Sequence, residues 1–348
     1  MTPTTGVPEV LARSRRACAA ATEAAIDRLA PEIRRGATYH LGWTDADGTP
    51  AVAPTGKGIR PALALLSAEA AWASAEVGVP GGVAVELVHN YSLIHDDIID
   101  GDTERHHRPT VWAVYGVGLA IIAGDALENL AHQVLLEADP TTGAQASAAL
   151  AAATAEMIAG QADDIAFEKR RNVGVDECTA MSAAKTGALL GAAASVGAIL
   201  AGAPPATVGA LRDYGRHLGL AFQAVDDLLG IWGDPQRTGK PVGNDLRQRK
   251  KSLPIVAALA AGGEEADELR ALLLGDPDFP VEALPPLEAD QVTRAAYLVD
   301  ACGGREWTGV RAKAHLDAAL GALERVRLSA VPHRELADLA VFVVEREL

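Results

Sequence analysis

The stretch AQASAALAAATAEMIAGQADDIAFEKRR, residues 144–171, decides how the rest of this chain is read. It is built from Ala, Gln, Glu, Leu and Met, the strong helix formers. The β-branched and aromatic alternation of a strand is nearly absent. The same composition extends outward. Aromatics make up 4% of the 348 residues and hydrophobic residues 49%, with Ala, Leu, Val and Gly dominant. An almost wholly α-helical chain is expected, with helices over about 8–36, from 59 to 61 onward, and then one bearing residues 92–100. Further helices are expected over 119–137, 143–171, 175–202, 206–232, 248–262, 285–302, 306–328 and 331–346. GVPGG (78–82) reads as a break between two of them, and GDPQRTGKPVGNDL (233–246) and GDPDFPVEALPP (275–286) read as loops. With no repeat, linker or low-complexity tail, residues 1–348 are expected to form a single domain, a helical bundle.

The formal charge of −15, from 31 Lys and Arg against 46 Asp and Glu, argues against nucleic acid or an anionic membrane as a partner. Cys18, Cys178 and Cys302 are odd in number and far apart, which fits a reducing cytoplasm better than a disulfide framework or a zinc site. The N-terminal MTPTTGVPEVLARSRRACAA lacks the apolar core of a secretory leader. Between Lys185 and Arg212 no charged residue occurs, a length that would span a bilayer. Its Ala and Gly content and Pro204-Pro205 favour a buried core helix, so no membrane span is expected.

Against this apolar background, SLIHDDIIDGDTERHHRPTVW (92–112) places Asp96, Asp97, Asp100 and Asp102 close together. On a helix with a step of about 100° per residue, His89, Ser92, Asp96 and Asp100 share one stripe, with Asp97 at its flank. Apolar neighbours suggest that this stripe faces inward. Paired carboxylates one turn apart, with oxygen donors alone, suit Mg²⁺ completed by water and phosphate. A solvated acidic helix end is the plain alternative. A second pair, Asp226-Asp227 in LGLAFQAVDDLLGIWGDP, weighs against it, with Gln223 one turn earlier and Asp234 beyond the helix. Two acidic pairs facing each other would form a mouth for several cations. Lys57, Arg60, Lys185 with Thr186, Lys240 and Lys250 supply the positive charge that a diphosphate needs. Arg247, Arg249 and Lys251 read as ordinary solvated surface.

In order, GKGIRP, HNYSLIHDDIID, RPT, GDAL, GQADD, KTG, FQAVDDLL and GKPVGNDL…KKSLP span Lys57 to Pro254. With these motifs the chain resembles the trans-isoprenyl diphosphate synthases, the polyprenyl synthetase family. The resemblance implies an all-α bundle around a central cavity and a homodimer, with interface candidates at 119–137 and 143–158. It implies Mg²⁺-dependent head-to-tail condensation of isopentenyl diphosphate with an allylic prenyl diphosphate. Asp96, Asp100 and Asp226 would bind three Mg²⁺ ions, supported by Asp97 and Asp227. Arg105, Lys185, Lys240 and Lys250 would grip the allylic diphosphate, with Thr186 and Gln223 stabilising the cation. Lys57, Arg60 and His89 would hold isopentenyl diphosphate.

Two positions depart from the family pattern. His106 stands where a second arginine normally helps bind isopentenyl diphosphate, and Arg108 is a second candidate for that role. Gly230 replaces the usual third aspartate of the second motif. Tyr91 and Ser92, five and four residues before Asp96, would line the path of the growing chain. An aromatic followed by a small residue there resembles short-chain enzymes, with geranylgeranyl diphosphate favoured and farnesyl diphosphate next. A class I terpene cyclase and a non-catalytic partner subunit are the competing readings.

Overall fold

Where helix-forming composition meets Pro and Gly, the backbone turns, and the positions of those turns set the architecture. The computed structural model describes residues 6–51, 56–233 and 243–345. Its elements run α1 (Val7–Ile26), α2 (Pro31–His40), α3 (Ile59–Ala70), α4 (Ala75–Ile99), β1 (Glu104–Arg105), β2 (Arg108–Pro109), α5 (Val111–Tyr115), α6 (Val117–Ala138) and α7 (Thr142–Lys169). Then come α8 (Val175–Ser182), a π-helical turn (Ala183–Gly187), α9 (Ala188–Leu200), α10 (Pro205–Trp232), α11 (Asn244–Arg247) and α12 (Leu253–Ala260). They are followed by α13 (Glu264–Leu274), a 3-10 turn (Val281–Ala283), α14 (Ala289–Ala301), α15 (Gly304–Leu323) and α16 (Ala330–Glu345). The fold is the all-α one expected, apart from the two-residue strands of one hairpin.

The chain divides into two compact units. The first comprises Met1–Thr154, Leu189–Asp213 and Ala322–Leu339, and the second Ala155–Ala188, Tyr214–Gly321 and Ala340–Leu348. In the first unit α3 is the central element: Ala62, Leu63, Ala64, Leu65 and Leu66 are fully buried, and the helix packs on α1 and α4. GVPGG does not break the chain as expected but lies inside α4. A Cβ on Gly78 would sit 2.7 Å from the Ala64 carbonyl oxygen, one on Gly81 2.7 Å from Val196 Cγ1, and one on Gly82 2.9 Å from Cys18 Sγ. These glycines serve close helix packing, and Pro80 is accommodated near the helix start. The expected helix 8–36 is also two helices, because Pro31 opens α2 at its first turn, where a missing N–H costs least.

In the second unit Ile231, Leu246, Ile255, Leu269, Leu273, Leu287, Leu298 and Val299 form a common core. Two of these lie on α13, a helix the sequence reading missed. Its signal was a run of Glu264, Glu265 and Asp267 in the first turn, where acidic groups complement the helix dipole. Of the expected helix 248–262 only Leu253–Ala260 is helical, and the expected 175–202 is interrupted by the π turn. Val117–Ala138 and Val175–Leu200 are each long and apolar enough to cross a membrane by length and composition, and 72% of the latter's most apolar window is buried.

Candidate active site

In the first unit, α4 delivers its carboxylates to its own C-terminal end, where Asp100 is the cap residue. The negative pole of the helix dipole makes three aspartates costly there unless cations offset them. The inward-facing residue differs from the expected stripe. Asp96 is half-buried and Asp100 exposed, while Asp97, placed at the flank by the helical wheel, is 1% exposed. Asp97 Oδ1 accepts hydrogen bonds from Nε and a terminal nitrogen of Arg105, both at 2.8 Å. Burial still pushes the Asp97 carboxyl up, and Arg105 opposes that shift. Arg105 reaches Asp97 from β1, whose two-residue turn back to β2 is His106-His107, with φ of 51° and 61°. Both residues occupy the left-handed region that a tight hairpin requires and that glycine or asparagine usually fills.

Beneath the hairpin lies a cavity of about 160 Å³ whose polar wall includes His40, His89, Asn90, Arg105, His106 and Arg108, with Glu86 and Asp97. Lys57 is exposed one residue beyond Gly56, which lines the same cavity. Arg60, half-buried, faces Glu86: burial lowers the guanidinium's proton affinity and raises that of the carboxyl, and each counters the other. The Arg60 Nε is buried without a hydrogen-bond partner. His89 is driven well below its usual range, by burial first and then by Arg60 and His40. Arg108 donates to the Tyr39 carbonyl at 3.2 Å and the Thr44 carbonyl at 2.9 Å, and lies over the Tyr39 ring. Those bonds tie it to α2 and the loop that follows. Tyr91 packs edge-on against His95, and Ser92 donates back to the His89 carbonyl at 2.8 Å.

In the second unit three of the quoted motifs join through side chains. Thr186 Oγ1 donates to Gln223 Oε1 at 2.7 Å, and Gln223 Nε2 donates to Asp227 Oδ1 at 2.7 Å. The Leu253 N–H, at the first turn of α12, donates to Asp227 Oδ2 at 2.9 Å. Asp227 thus closes the N-terminus of α12 while only 6% exposed, and burial, with Asp245 adding to it, pushes its carboxyl up to about 8. Asp226, one residue earlier, is exposed. Lys185 sits in the π turn and pairs with Asp164 at 2.6 Å. Gly160 of GQADD makes that reach feasible, since any Cβ there would overlap the Lys185 backbone nitrogen. A π turn inside a helix often marks a functional position.

Asp164 and Asp245 escaped the sequence reading, although GQADD and GKPVGNDL contain them. A Cβ on Gly230 would run into the Asp245 carboxylate, so the room of the absent third aspartate is taken by a carboxylate from α11. Lys250 is half-buried. Lys240 and Asp234 lie outside the described residues. The expectation of solvated surface fails for three cations. Arg247 donates to the Leu287 carbonyl, Arg249 to those of Pro285, Leu272 and Leu273, and Lys251 is 7% exposed.

The donor chemistry fits Mg²⁺. The accessible carboxylates are the ones assigned to metal, Asp96, Asp100 and Asp226, and the anchored ones are Asp97 and Asp227. Among the described residues no group of three or more His, Cys, Asp or Glu is gathered at one point. A hard dication would complete its shell with water and phosphate oxygens.

The chain matches the family model for polyprenyl synthetase over residues 46–281. It is 48% identical over 321 residues to a (2E,6E)-farnesyl diphosphate synthase of Mycobacterium tuberculosis, covering 92% of this chain and 88% of that protein. It is 41% identical over 339 residues to a geranylgeranyl diphosphate synthase of the same organism, covering 97% and 93%. The crystal structure of a polyprenyl synthetase from Streptomyces coelicolor A3(2) superposes with a TM-score of 0.92 at 50% identity, over 97% of this chain and 99% of that one. The ordered motifs, the helical fold and these likenesses agree: the chain belongs to the polyprenyl synthetase family.

Proposed function

We infer that this chain is a trans-prenyltransferase. It condenses isopentenyl diphosphate with an allylic diphosphate to give a short-chain all-trans prenyl diphosphate. The observation that carries the reading is the division of labour within each acidic pair: one aspartate is anchored by the protein and its neighbour is left accessible. Family membership supports it, and it leaves the terpene cyclase alternative without a favouring observation.

On this reading Asp96, Asp100 and Asp226 hold Mg²⁺, three ions in all, which supplies charge neutralisation for the departing diphosphate. Lys185, Lys240, Lys250 and Arg105 bind that diphosphate. Thr186 and Gln223 present oxygens, already ordered by their mutual hydrogen bond, to the developing allylic cation. Lys57, Arg60, His89 and His106 bind isopentenyl diphosphate, whose double bond attacks the cation. The proton lost afterwards goes to the released diphosphate.

Tyr91 and Ser92 favour a C20 product, and the farnesyl synthase relatives put C15 next. Residues 1–348 form one domain on this reading, supported by a family match that runs through both units. A homodimer is supported by the exposed apolar side chains Val117, Ile121, Ile122 and Leu136 on α6 and Ile158 on α7. Three free cysteines support a reducing cytoplasm. Purified protein incubated with Mg²⁺, labelled isopentenyl diphosphate and each allylic primer is expected to yield C20 or C15 diphosphate by mass spectrometry. No product longer than the primer overturns the reading, and a hydrocarbon from allylic substrate alone would reinstate the cyclase.

A further inference from the structure

The cavity under the β1–β2 hairpin has an unusual composition for an anion site. Arg105 is committed to Asp97, Arg108 to two carbonyl groups, and the turn position expected to carry an arginine carries His106. What remains on the wall is a set of imidazoles: His89 from α4, His106 from the turn, and His40, the last residue of α2. The motif reading assigned His40 no role.

The His40 ring lies beside the side chain of Asn90, whose Nδ2 donates to the Glu86 carbonyl at 2.7 Å. The amide oxygen of Asn90 is the group that suits an imidazole N–H, and a neutral ring that donates from one nitrogen carries the lone pair on the other. The charged and titratable groups around it come from each packed element: Tyr39 from α2, Glu86, His89 and Asp97 from α4, Arg105 and His106 from β1 and its turn, and Arg108 from β2. Of the two carboxylates, Asp97 is already paired with Arg105. Burial, with Arg105, His106 and Arg108, holds the His40 imidazolium down to about 4, so the ring is neutral at pH 7.

A diphosphate entering the cavity reverses that field. It brings negative charge beside a neutral imidazole that lines the wall. We propose that His40 is a further substrate-contacting residue of the isopentenyl diphosphate subsite, taking a proton from solvent as the diphosphate enters and donating it as a hydrogen bond to a phosphate oxygen. This rests on the proposed condensation activity and adds a residue to it. The histidine supplies on demand the positive charge that an arginine at position 106 would hold permanently.

The test compares full-length wild type with His40→Gln, which keeps an N–H for Asn90 but cannot take the proton. Steady-state kinetics should show the KM for isopentenyl diphosphate raised about tenfold, with the KM for the allylic primer within about twofold of wild type. Isopentenyl diphosphate alone, titrated calorimetrically with Mg²⁺ at one pH in two buffers of different ionisation enthalpy, should show fewer protons taken up per ligand by the variant. The difference between the proteins cancels the ligand's own phosphate ionisation. Equal KM values and equal proton uptake overturn the proposal, as does a parallel rise in both KM values, the mark of a merely structural residue. If His40→Gln does not fold, His40→Asn serves the same comparison. Wild type that makes no elongated product overturns the proposed function itself, an outcome separate from equal behaviour of two active proteins.

Discussion

The first unit and the second each present an Asp-Asp doublet on a long helix, yet the two doublets are secured by opposite means. Asp97 is held by the guanidinium of Arg105, which comes from a hairpin whose turn residues are in a left-handed conformation. Asp227 is held by neutral donors, the Gln223 amide and the Leu253 N–H, within a relay that starts at Thr186. In both, the neighbouring aspartate is left accessible. A step of about 100° per residue means that when one member of a doublet is buried, the other is turned away from the same core. A DD doublet on a half-buried helix is therefore two different residues, one built into the scaffold and one available to ligand.

The largest effect should come from the accessible members. Asp226→Ala and Asp96→Ala are each expected to lower kcat/KM by about 10²- to 10³-fold through lost electrostatic stabilisation. Their unfolding free energy should fall by less than that of variants in the anchoring partners, Arg105 and Gln223. Kinetics alongside thermal melting checks both halves, and a large fall in stability would break the division between open and anchored members. The anchoring partners should lose stability as well as activity. Arg105→Ala takes the countercharge away from a carboxylate that is 1% exposed and should cost about 3 kcal/mol. Gln223→Ala removes one of two neutral bonds to Asp227 and should cost about 1 kcal/mol. Denaturant unfolding of the two variants ranks the charged anchor against the neutral one.

Much of this was legible in the sequence and the rest was hidden for identifiable reasons. Helix content follows from Ala and Leu frequency, and both doublets stand out because charge is rare in their surroundings. The direction each aspartate faces was not legible. The helical wheel put Asp97 at the flank of the important stripe, and only the position of Arg105 on a separate hairpin decides that Asp97 is the buried one. GVPGG read as a break because Gly and Pro usually punctuate, whereas Gly78, Gly81 and Gly82 are there to let α4 approach α3, α9 and α1. His40 carries no motif around it, so nothing short of a fold could bring it to His89.

Gly230 tests the other side of the comparison. A third aspartate at this position would need space that Asp245 already fills. Gly230→Ala is expected to push the Asp245 carboxylate aside, a shift of a side-chain end that a gain of about 1 kcal/mol in helix propensity offsets. Because Asp245 also bears on Asp227, activity should fall while the melting temperature changes little. An active, undisturbed Gly230→Ala would mean that the two carboxylates are not coupled through this contact.

Lys250-Lys251, in the loop between α11 and α12, is a cationic pair with one member more buried than the other, and Lys251 yields a pH dependence with a definite sign. Lys250 is half-buried, whereas Lys251 is buried with its ammonium bonded to the Arg249 carbonyl at 3.3 Å and its own carbonyl accepting from Cys178 Sγ. Burial, with nearby Arg249, lowers its proton affinity from the ordinary 10.5 to about 8, while Glu168 favours its charged form and Arg171 opposes it. Between those two values the unfolded chain binds the proton that the folded chain has released, so stability rises with pH across that window. Below about pH 8 both states carry the charge, and the folded state bears the full cost of burying it. Lys251→Met removes that cost and should stabilise the protein at pH 7 by on the order of 1–3 kcal/mol. The advantage should shrink between pH 8 and 10.5 as wild type sheds its proton. Melting curves of the two proteins at pH 7 and pH 9.5 read this directly. A gap that stays constant, or one that widens with pH, would show that Lys251 is not buried as a charge.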